Sequence, residues 1–355
     1  MKRIRILIFL GGFLVFFLGA TYILRANSDR KQRFANFYYE PEYSIDVVYI
    51  GSSPVHPYWS PALAWELQGF TSASLATNVQ QPKAALCLLR EVEKTQSPDV
   101  MIFELRMFSR EQKEFDKNED WEAITRNVTD NMKYSFNRVQ TINRLVPDIN
   151  DRISYYFDIM KYHSLWKHLG KEQWEYWKFE KPDPLKGHLI MSDVVDLSYA
   201  WHDYRTITEV TPMPPEQEMY LRELLDYCKE KEIMALFTVN PYTDITETAQ
   251  AQFNYMQQIV EQEYGYDFIN FNCLYEELGI DFAKDFYNGG HMNACGAEKF
   301  TAYLAKYLSE NYDLPDKRED PDYAGWNKAY AYWKEQSDNA VQIINDKVAK
   351  GAYDE

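Results

Sequence analysis

The sequence has few cysteines and lacks the spacings that bind metals or phosphate groups. Its four cysteines, Cys87, Cys228, Cys273 and Cys295, form no CxxC pair and no cysteine–histidine pattern, so neither a zinc site nor a redox motif is expected. Cys87 and Cys228 lie on the apolar faces of predicted helices and should be buried thiols, whereas a Cys273–Cys295 disulfide stays an open alternative. A glycine-rich phosphate loop and a dinucleotide fingerprint are also missing. The residues therefore point to no metal and no cofactor.

Basic residues are outnumbered by acidic residues outside the N-terminus. The 355 residues include 38 Lys and Arg against 54 Asp and Glu, a formal net charge of −16, although the first 35 residues are basic. This balance argues against nucleic acid, or an anionic lipid surface, as a partner of the part that follows. Hydrophobic residues make up 46% of the chain, which is enough to build one large folded domain or two ordinary ones.

Charge is absent altogether from the run Ile6–Leu24, which at about 1.5 Å per residue nearly spans the ~30 Å of a bilayer's apolar core. Lys2, Arg3 and Arg5 precede it and favour a cytoplasmic N-terminus, although basic residues also follow it. A cleaved signal peptide is the alternative, but its apolar region is usually shorter, and Ala20-Thr21-Tyr22 is a poor cleavage site.

The N-terminal pattern therefore predicts a signal anchor over residues 1–25, followed by a polar, aromatic stalk over 26–43. The protein would cross the cell membrane once, with everything beyond the stalk outside the cytoplasm.

Strands and helices alternate after the stalk. Five apolar runs predict strands at Asp46–Ile50, Ala73–Ala76, Asp99–Leu105, Met234–Val239 and Asp267–Phe271. Amphipathic patterns predict helices at about 82–94, 216–230, 246–263 and 297–308. This alternation indicates an α/β fold with a parallel sheet and helices on both faces.

The alternation predicts one α/β domain over residues 44–310. It is interrupted at 108–213, a stretch rich in Tyr, Trp, Asn and charge that should be a helical insertion without a sheet of its own. The tail, 311–355, should be an amphipathic helix packed on the domain through residues such as Trp326 and Trp333.

Serine and histidine follow the predicted strand ends, where open α/β sheets bind ligands. Ser53 lies in a tight turn after the first strand, and His291 comes from a loop before the last core helix. A serine so placed can attack an acyl carbon while its backbone N–H stabilises the oxyanion, and a histidine can take its proton. The alternative is a simple capped turn, in which Ser53 is the N-cap and Pro54 the first helical residue. His56, three residues after Ser53, is expected to lie at the surface or at the rim of this site.

Two segments resemble conserved blocks of the SGNH/GDSL hydrolase family. Ile50-Gly51-Ser52-Ser53 is similar to its first block, so the resemblance makes Ser53 the nucleophile and puts Ser52 in place of the signature aspartate. The segment from Asp285 to Gly296 resembles its last block, which makes His291 the catalytic histidine.

The resemblance covers about residues 44–107 and 216–309. It looks closest to membrane-anchored branches found in surface-polymer operons, including relatives of the D-alanylation proteins of lipoteichoic acid synthesis. It implies the SGNH (flavodoxin-like) three-layer sandwich.

The sequence departs from the family at three positions. The family's aspartate, three residues before the histidine, is Asn288 here, so Asn288, the nearby Asp285, or no residue at all would orient His291. The second-block glycine is not clear around residues 77–79, where Asn78 could donate its amide to an oxyanion. Arg106 follows the third strand where an asparagine is expected. It could bind an anionic or polyhydroxyl substrate, or pair with a nearby acid.

These patterns together predict a membrane-anchored, extracytoplasmic serine esterase or O-acyltransferase. Its substrate would be an envelope polysaccharide or teichoic acid, and a membrane-bound acyltransferase is a possible partner. The alternative is a catalytically weak relative that binds polymer or acts as a scaffold for such an acyltransferase. The distance between Ser53 and His291 in the folded chain should discriminate between the two.

Overall fold

A parallel five-stranded sheet lies at the centre of the protein. The computed structural model describes residues 2–24, 34–116, 119–170, 183–243 and 245–354. The strands are β1 Val47–Gly51, β2 Ser72–Ala76, β3 Val100–Glu104, β4 Ala235–Val239 and β5 Asp267–Asn270. Their order is β2-β1-β3-β4-β5, with every neighbouring pair parallel. All five predicted strands are confirmed.

The strands are apolar on both faces because each face is covered by helices. Along β1, Val48 and Ile50 belong to one buried cluster and Val47 and Tyr49 to another, as expected when side chains alternate across a sheet. The predicted α/β class is therefore correct, and the arrangement is compatible with a three-layer sandwich.

Helices cover the two faces in separate groups. The cluster of Val48 includes residues of α2 Ala35–Tyr39, α5 Ala85–Val92, a long helix Pro215–Glu230 and another at Glu247–Gln257. The cluster of Val47 includes residues of α3 Val55–Tyr58, α4 Pro61–Gln68, a short helix Tyr275–Leu278 and the core helix Ala294–Asn311. The four predicted core helices are all present, and α4 is a helix that the periodicity did not reveal.

The chain between β3 and β4 leaves the sheet and returns to the neighbouring position. The described residues of 108–213 contain no strand. They form α6 Gln112–Asp116, α7 Trp121–Thr129, α8 Phe136–Leu145, α9 Ile149–Tyr156 and α10 Ile159–Tyr162, followed by short 3-10 turns and extended segments. The remaining helices are α11 Pro215–Glu230, α12 Glu247–Gln257, α13 Tyr275–Leu278, α14 Ala294–Asn311 and α15 Ala324–Lys350.

The N-terminal helix α1 runs from Lys2 to Ile23. Its window Lys2–Thr21 has a mean hydropathy of 2.2 and is almost entirely exposed, so it is long and apolar enough to span a membrane. Part of the predicted stalk lies outside the described residues. The rest is not a free stalk, because Phe34 and Phe37 are buried in the domain core. That part of the prediction was wrong, since the aromatic side chains gain more from burial than from exposure.

The C-terminal tail forms helix α15, as predicted, and packs on the domain. The Trp326 ring packs at a tilt against the Trp65 ring of α4, with 5.7 Å between their centroids, and Trp333 is buried beside Ala62. All four cysteines are free thiols, so the Cys273–Cys295 alternative is not realised, whereas Cys87 and Cys228 are buried as expected.

Replacement of Trp333 by alanine should destabilise the fold by about 3–5 kcal/mol, because only 2% of this side chain is exposed and its loss leaves a cavity. Tyr332 is the matched control, since 42% of it is exposed and Tyr332→Ala should change stability by less than about 0.5 kcal/mol. Urea unfolding followed by circular dichroism measures both variants. Equal midpoints for the two would contradict the packing of α15.

Candidate active site

Ser53 lies between the end of β1 and the start of α3. Val55 N–H donates to the Ser52 carbonyl, and Pro54, with φ −61°, occupies the cap position without any side-chain capping bond. The predicted N-cap role of Ser53 was therefore wrong. Its hydroxyl is turned instead toward a loop from the other end of the chain.

Three side chains form a continuous hydrogen-bonded row. Ser53 Oγ lies 2.8 Å from His291 Nε2, and His291 Nδ1 lies 2.9 Å from Asn288 Oδ1. The structure thus brings together the serine and histidine singled out in the sequence, with Asn288 in the orienting position.

The protonation pattern of this row follows from a backbone group. Gly290 N–H donates to Asn288 Oδ1 over 2.9 Å, and a backbone N–H can only donate, so the atom facing it must be the amide oxygen. The same oxygen faces His291 Nδ1, which must therefore carry a proton. In the neutral ring Nε2 is then an acceptor, and Ser53 O–H donates to it. This is the tautomer that a general base needs.

The histidine is carried by a two-stranded hairpin, β6 Phe286–Asn288 and β7 His291–Met292. Gly289 at its turn accepts hydrogen bonds from Thr243 N–H (2.8 Å) and the Thr243 hydroxyl (2.9 Å). The Tyr287 ring stacks on the imidazole at a centroid distance of 5.5 Å. No sequence pattern signals these supports, because they depend on contacts between β6–β7 and the loop after β4.

His291 is a weak base in this setting. Burial and, to a smaller extent, the positive charge of Arg106 together lower its pKa from 6.5 to about 4. The ring is consequently neutral at pH 7 and ready to accept a proton, but its protonated form is poorly stabilised.

Ser52 has a structural role that separates it from Ser53. Its hydroxyl donates to Glu104 Oε2 over 2.7 Å, and its N–H contacts the same oxygen at 3.3 Å. Arg106 N–H donates to Glu104 Oε1 over 2.7 Å. Glu104 is buried, and burial raises the pKa of its carboxyl group. A single carboxylate thus joins the loops after β1 and β3, a role that the sequence analysis missed although a charge inside an apolar strand is a usable signal.

Glycine is required beside this carboxylate. A Cβ on Gly51 would lie 2.5 Å from Glu104 Cβ and 2.7 Å from Val55 Cγ2. The close approach of β1 to β3 at their carboxyl ends therefore depends on the missing side chain.

Arg106 packs against the histidine loop. Its Nη1 donates to the Gly290 carbonyl over 2.9 Å, and its guanidinium carbon lies 4.0 Å from the centre of the Tyr242 ring. Within the described parts of the chain no carboxylate oxygen lies within 4.0 Å of its side-chain nitrogens, so the predicted ion pair is not formed. Its role toward a substrate stays a prediction.

Two groups are candidates for stabilising an oxyanion. Ser53 N–H donates to no acceptor among the residues that the structure describes. Asn78 lies exposed in the turn after β2, two residues beyond Ala76, which pairs with Gly51 in the sheet. Ser53 and Asn78 therefore occupy equivalent positions past adjacent strands. Val79 next to it has φ +48°, a strained conformation for a β-branched residue, and such strain is often found at functional sites.

Asp285 is not part of the row. Its carboxylate is buried, accepts from Asp281 N–H over 2.7 Å and pairs with Lys299 Nζ at 2.6 Å. The predicted alternative, in which Asp285 orients His291, was wrong, because the side chain is bonded to Asp281 N–H in the turn before β6 and to Lys299 of α14.

His56 was also misplaced by the sequence analysis. It is buried, and its Nε2 lies 2.9 Å from the Ala76 carbonyl oxygen. His188 packs nearby, and burial lowers its pKa to about 4. Neither belongs to the row, and the described residues contain no group of three or more His, Cys, Asp or Glu side chains able to hold a metal ion.

Comparison with known proteins gives no match, whether with family models, curated proteins or solved structures.

Substitution of Arg106 should change the pH dependence of the serine's reactivity. Reaction of Ser53 with a fluorophosphonate needs neutral His291, so in the wild type it should fall only as the pH drops toward about 4. Arg106→Gln removes the positive charge, raises the pKa of His291 and moves this fall to higher pH. Arg106→Lys keeps the charge and is the control. An unchanged profile in Arg106→Gln would rule out this electrostatic coupling.

Proposed function

We propose that this protein is a serine esterase or O-acyltransferase of the SGNH type, with Ser53 as nucleophile, His291 as general base and Asn288 as the orienting residue. The observation that carries the proposal is the row from Ser53 Oγ to His291 Nε2, 2.8 Å, and from His291 Nδ1 to Asn288 Oδ1, 2.9 Å. It lies at the carboxyl ends of β1 and β3, where the strand order changes direction and ligands bind in open α/β sheets.

The reaction follows from the protonation pattern. Ser53 Oγ bonds to the acyl carbon of an ester while its proton passes to His291 Nε2. The carbonyl oxygen, now negative, is stabilised by Ser53 N–H and the Asn78 amide. Collapse of the intermediate breaks the ester C–O bond, and His291 returns its proton to the leaving alcohol. Water or a sugar hydroxyl then takes the acyl group from Ser53 by the same steps in reverse.

The choice of Ser53 over Ser52 is supported by their hydrogen bonds. Ser52 donates its hydroxyl proton to the buried Glu104, which also accepts from Ser52 N–H and Arg106 N–H and so joins the two loops. Ser53 donates to a nitrogen that can accept its proton.

The membrane setting of the proposal rests on α1. A helix with this hydropathy would anchor the enzyme in the cell membrane as a single-pass protein, with the basic residues before it on the cytoplasmic side and the α/β domain outside. The substrate would be an acylated or acylatable envelope polysaccharide or teichoic acid, and a membrane-bound acyltransferase would be the partner that exports the acyl group.

A catalytically weak polymer-binding or scaffolding role is the second candidate, and two observations favour it. Asn288 orients the imidazole but supplies no negative charge to its protonated form. The pKa of His291, about 4, also makes proton transfer from serine unfavourable.

Ser53→Ala should abolish hydrolysis of an aryl acetate by at least about 10³-fold, because covalent catalysis is lost. Ser52→Ala is the matched control: it removes only the bond to Glu104 and should cost mainly stability. Turnover and fluorophosphonate labelling should be compared for both, with folding checked by circular dichroism. Near-wild-type turnover by the folded Ser53→Ala variant would disprove the proposal that Ser53 is the nucleophile of an esterase. Absence of turnover and of labelling in the wild type itself would favour the scaffold.

Asn288→Asp should raise turnover by between about 10-fold and about 10⁴-fold, since a carboxylate here keeps both N–H hydrogen bonds and stabilises the imidazolium. The same change should raise the pKa of His291. Asn288→Ala, which removes the orienting oxygen, should lower turnover and serves as the opposite control. If the folded Asp variant were no faster than the wild type, the role assigned to residue 288 would be wrong.

A further inference from the structure

The apolar helix α1 does not stand clear of the folded domain. The Phe17 ring meets the Phe157 ring edge-on at a centroid distance of 5.3 Å. Thr21 and Leu24, four and seven residues further on, are buried with exposures of 3% and 8%. Residues at these spacings lie on one face of a helix, so the last third of α1 is fastened to the segment around Phe157.

The position of Phe157 along α1 sets its depth. The membrane-spanning window ends at Thr21, and Phe17 lies four residues before that end, or about 6 Å at 1.5 Å per residue. If α1 crosses a bilayer, Phe157 therefore lies at the level of the outer hydrocarbon and not in the aqueous phase.

The segment that carries Phe157 is held rigidly in that place. The buried Arg138 of α8 donates through Nη2 to the Tyr155 carbonyl over 2.8 Å and to Asp158 Oδ1 over 3.1 Å. One bond holds Tyr155 near the end of α9, and the other holds Asp158 just before α10. The ends of α9 and α10 that meet at Phe157 therefore lie at a depth in the bilayer similar to that of Phe157.

Those helices expose large apolar side chains. Ile149 and Ile153 are 73% and 52% exposed, and with Phe157 they follow each other at intervals of four residues, which places them on one side of α9. Beyond Phe157, Met160 is 52% exposed and Trp166 63% exposed. Such a concentration on a soluble surface usually marks an interaction site.

The charge of this region differs from that of the rest of the chain. Residues 159–170 contain no Asp or Glu but include Lys161, Lys167 and two histidines, in a protein of net charge −16. Lys161 pairs with Glu122, whereas Lys167 Nζ lies 5.9 Å from the centre of the Trp166 ring. Tryptophan beside lysine is typical of the membrane–water interface. The acidic balance that argues against lipid contact elsewhere is thus absent from residues 159–170, whereas the preceding stretch carries the exposed Asp151 beside Arg152, and Asp158, which is paired with Arg138.

We propose that residues 149–169, which we call the interfacial segment, lie on the phospholipid bilayer on the side where α1 emerges. Ile149, Ile153 and Met160 would enter the region between headgroups and acyl chains, with Trp166 and Lys167 at the headgroups. This inference rests on the membrane anchoring proposed for α1. It adds a second contact that fixes how the domain stands on the membrane.

The full-length chain, with Cys273→Ser to remove the half-buried thiol, should be reconstituted in phosphatidylcholine–phosphatidylglycerol vesicles at less than one copy per vesicle. An environment-sensitive fluorophore is attached to a cysteine at one position at a time. Ile153→Cys and Met160→Cys test the interfacial segment. Val15→Cys in α1 is the lipid control, and Met219→Cys in α11, 54% exposed, is the water control.

Spin-labelled lipid should quench the fluorophore at 153 and 160 several-fold more than at 219, and aqueous iodide should do the reverse. If the labels at 153 and 160 behave like that at 219 while the label at 15 is in lipid, the inference is overturned and the anchor stands. If the label at 15 is also in water, the anchor is disproved and the inference falls with it. Shielding of 153 and 160 from both quenchers would indicate protein contact and would likewise overturn it. None of these results depends on esterase activity.

Discussion

A carboxylate buried at the carboxyl end of β3 joins the two loops from which the site is built. Glu104 accepts hydrogen bonds from the Ser52 hydroxyl and N–H on one side and from Arg106 N–H on the other. Burial makes each of these bonds costly to lose, because an unpaired buried carboxylate would have no water to replace them. Ser53 directly follows Ser52, and Arg106 binds Glu104 through its own N–H. The positions of Ser53 and of the Arg106 side chain relative to the β6–β7 hairpin therefore depend on this carboxylate.

His291 is correctly oriented to accept a proton, but it is a weak base. Asn288 fixes the tautomer, while burial and the charge of Arg106 both favour the neutral ring. Arg106 also holds the Gly290 carbonyl, so the residue that positions the histidine loop also reduces the basicity of the histidine. Geometry and electrostatics are therefore coupled through the Arg106 side chain.

The sheet could be predicted from the sequence because strands buried on both faces leave continuous apolar runs, and the serine and histidine because both follow predicted strand ends. Side-chain roles that depend on distant contacts could not. The sequence contains two similar Ser-Pro pairs, Ser53-Pro54 and Ser60-Pro61, whose serines have different roles. Ser60 caps α4 by accepting from Leu63 N–H over 3.2 Å, whereas Ser53 bonds to a histidine 238 residues away. Locally the two pairs read alike, and only the fold distinguishes them. The burial of His56 and Phe34 was missed for the same reason.

The side-chain amide of Asn288, which orients His291, is susceptible to deamidation. Asn288 is exposed and is followed by Gly289, the residue that least hinders attack of a backbone nitrogen on the preceding side-chain amide. That attack expels ammonia and closes a five-membered imide, which water reopens to a carboxylate in either the normal or the backbone-lengthened linkage. The hydrogen bonds that hold the amide oxygen oppose the rotation this attack requires, so the intact site protects itself. Unfolding removes that protection. Denaturation therefore exposes to deamidation the residue that orients His291, and mass spectrometry of the peptide around residue 288 distinguishes the asparagine form from the carboxylate forms in a refolded preparation.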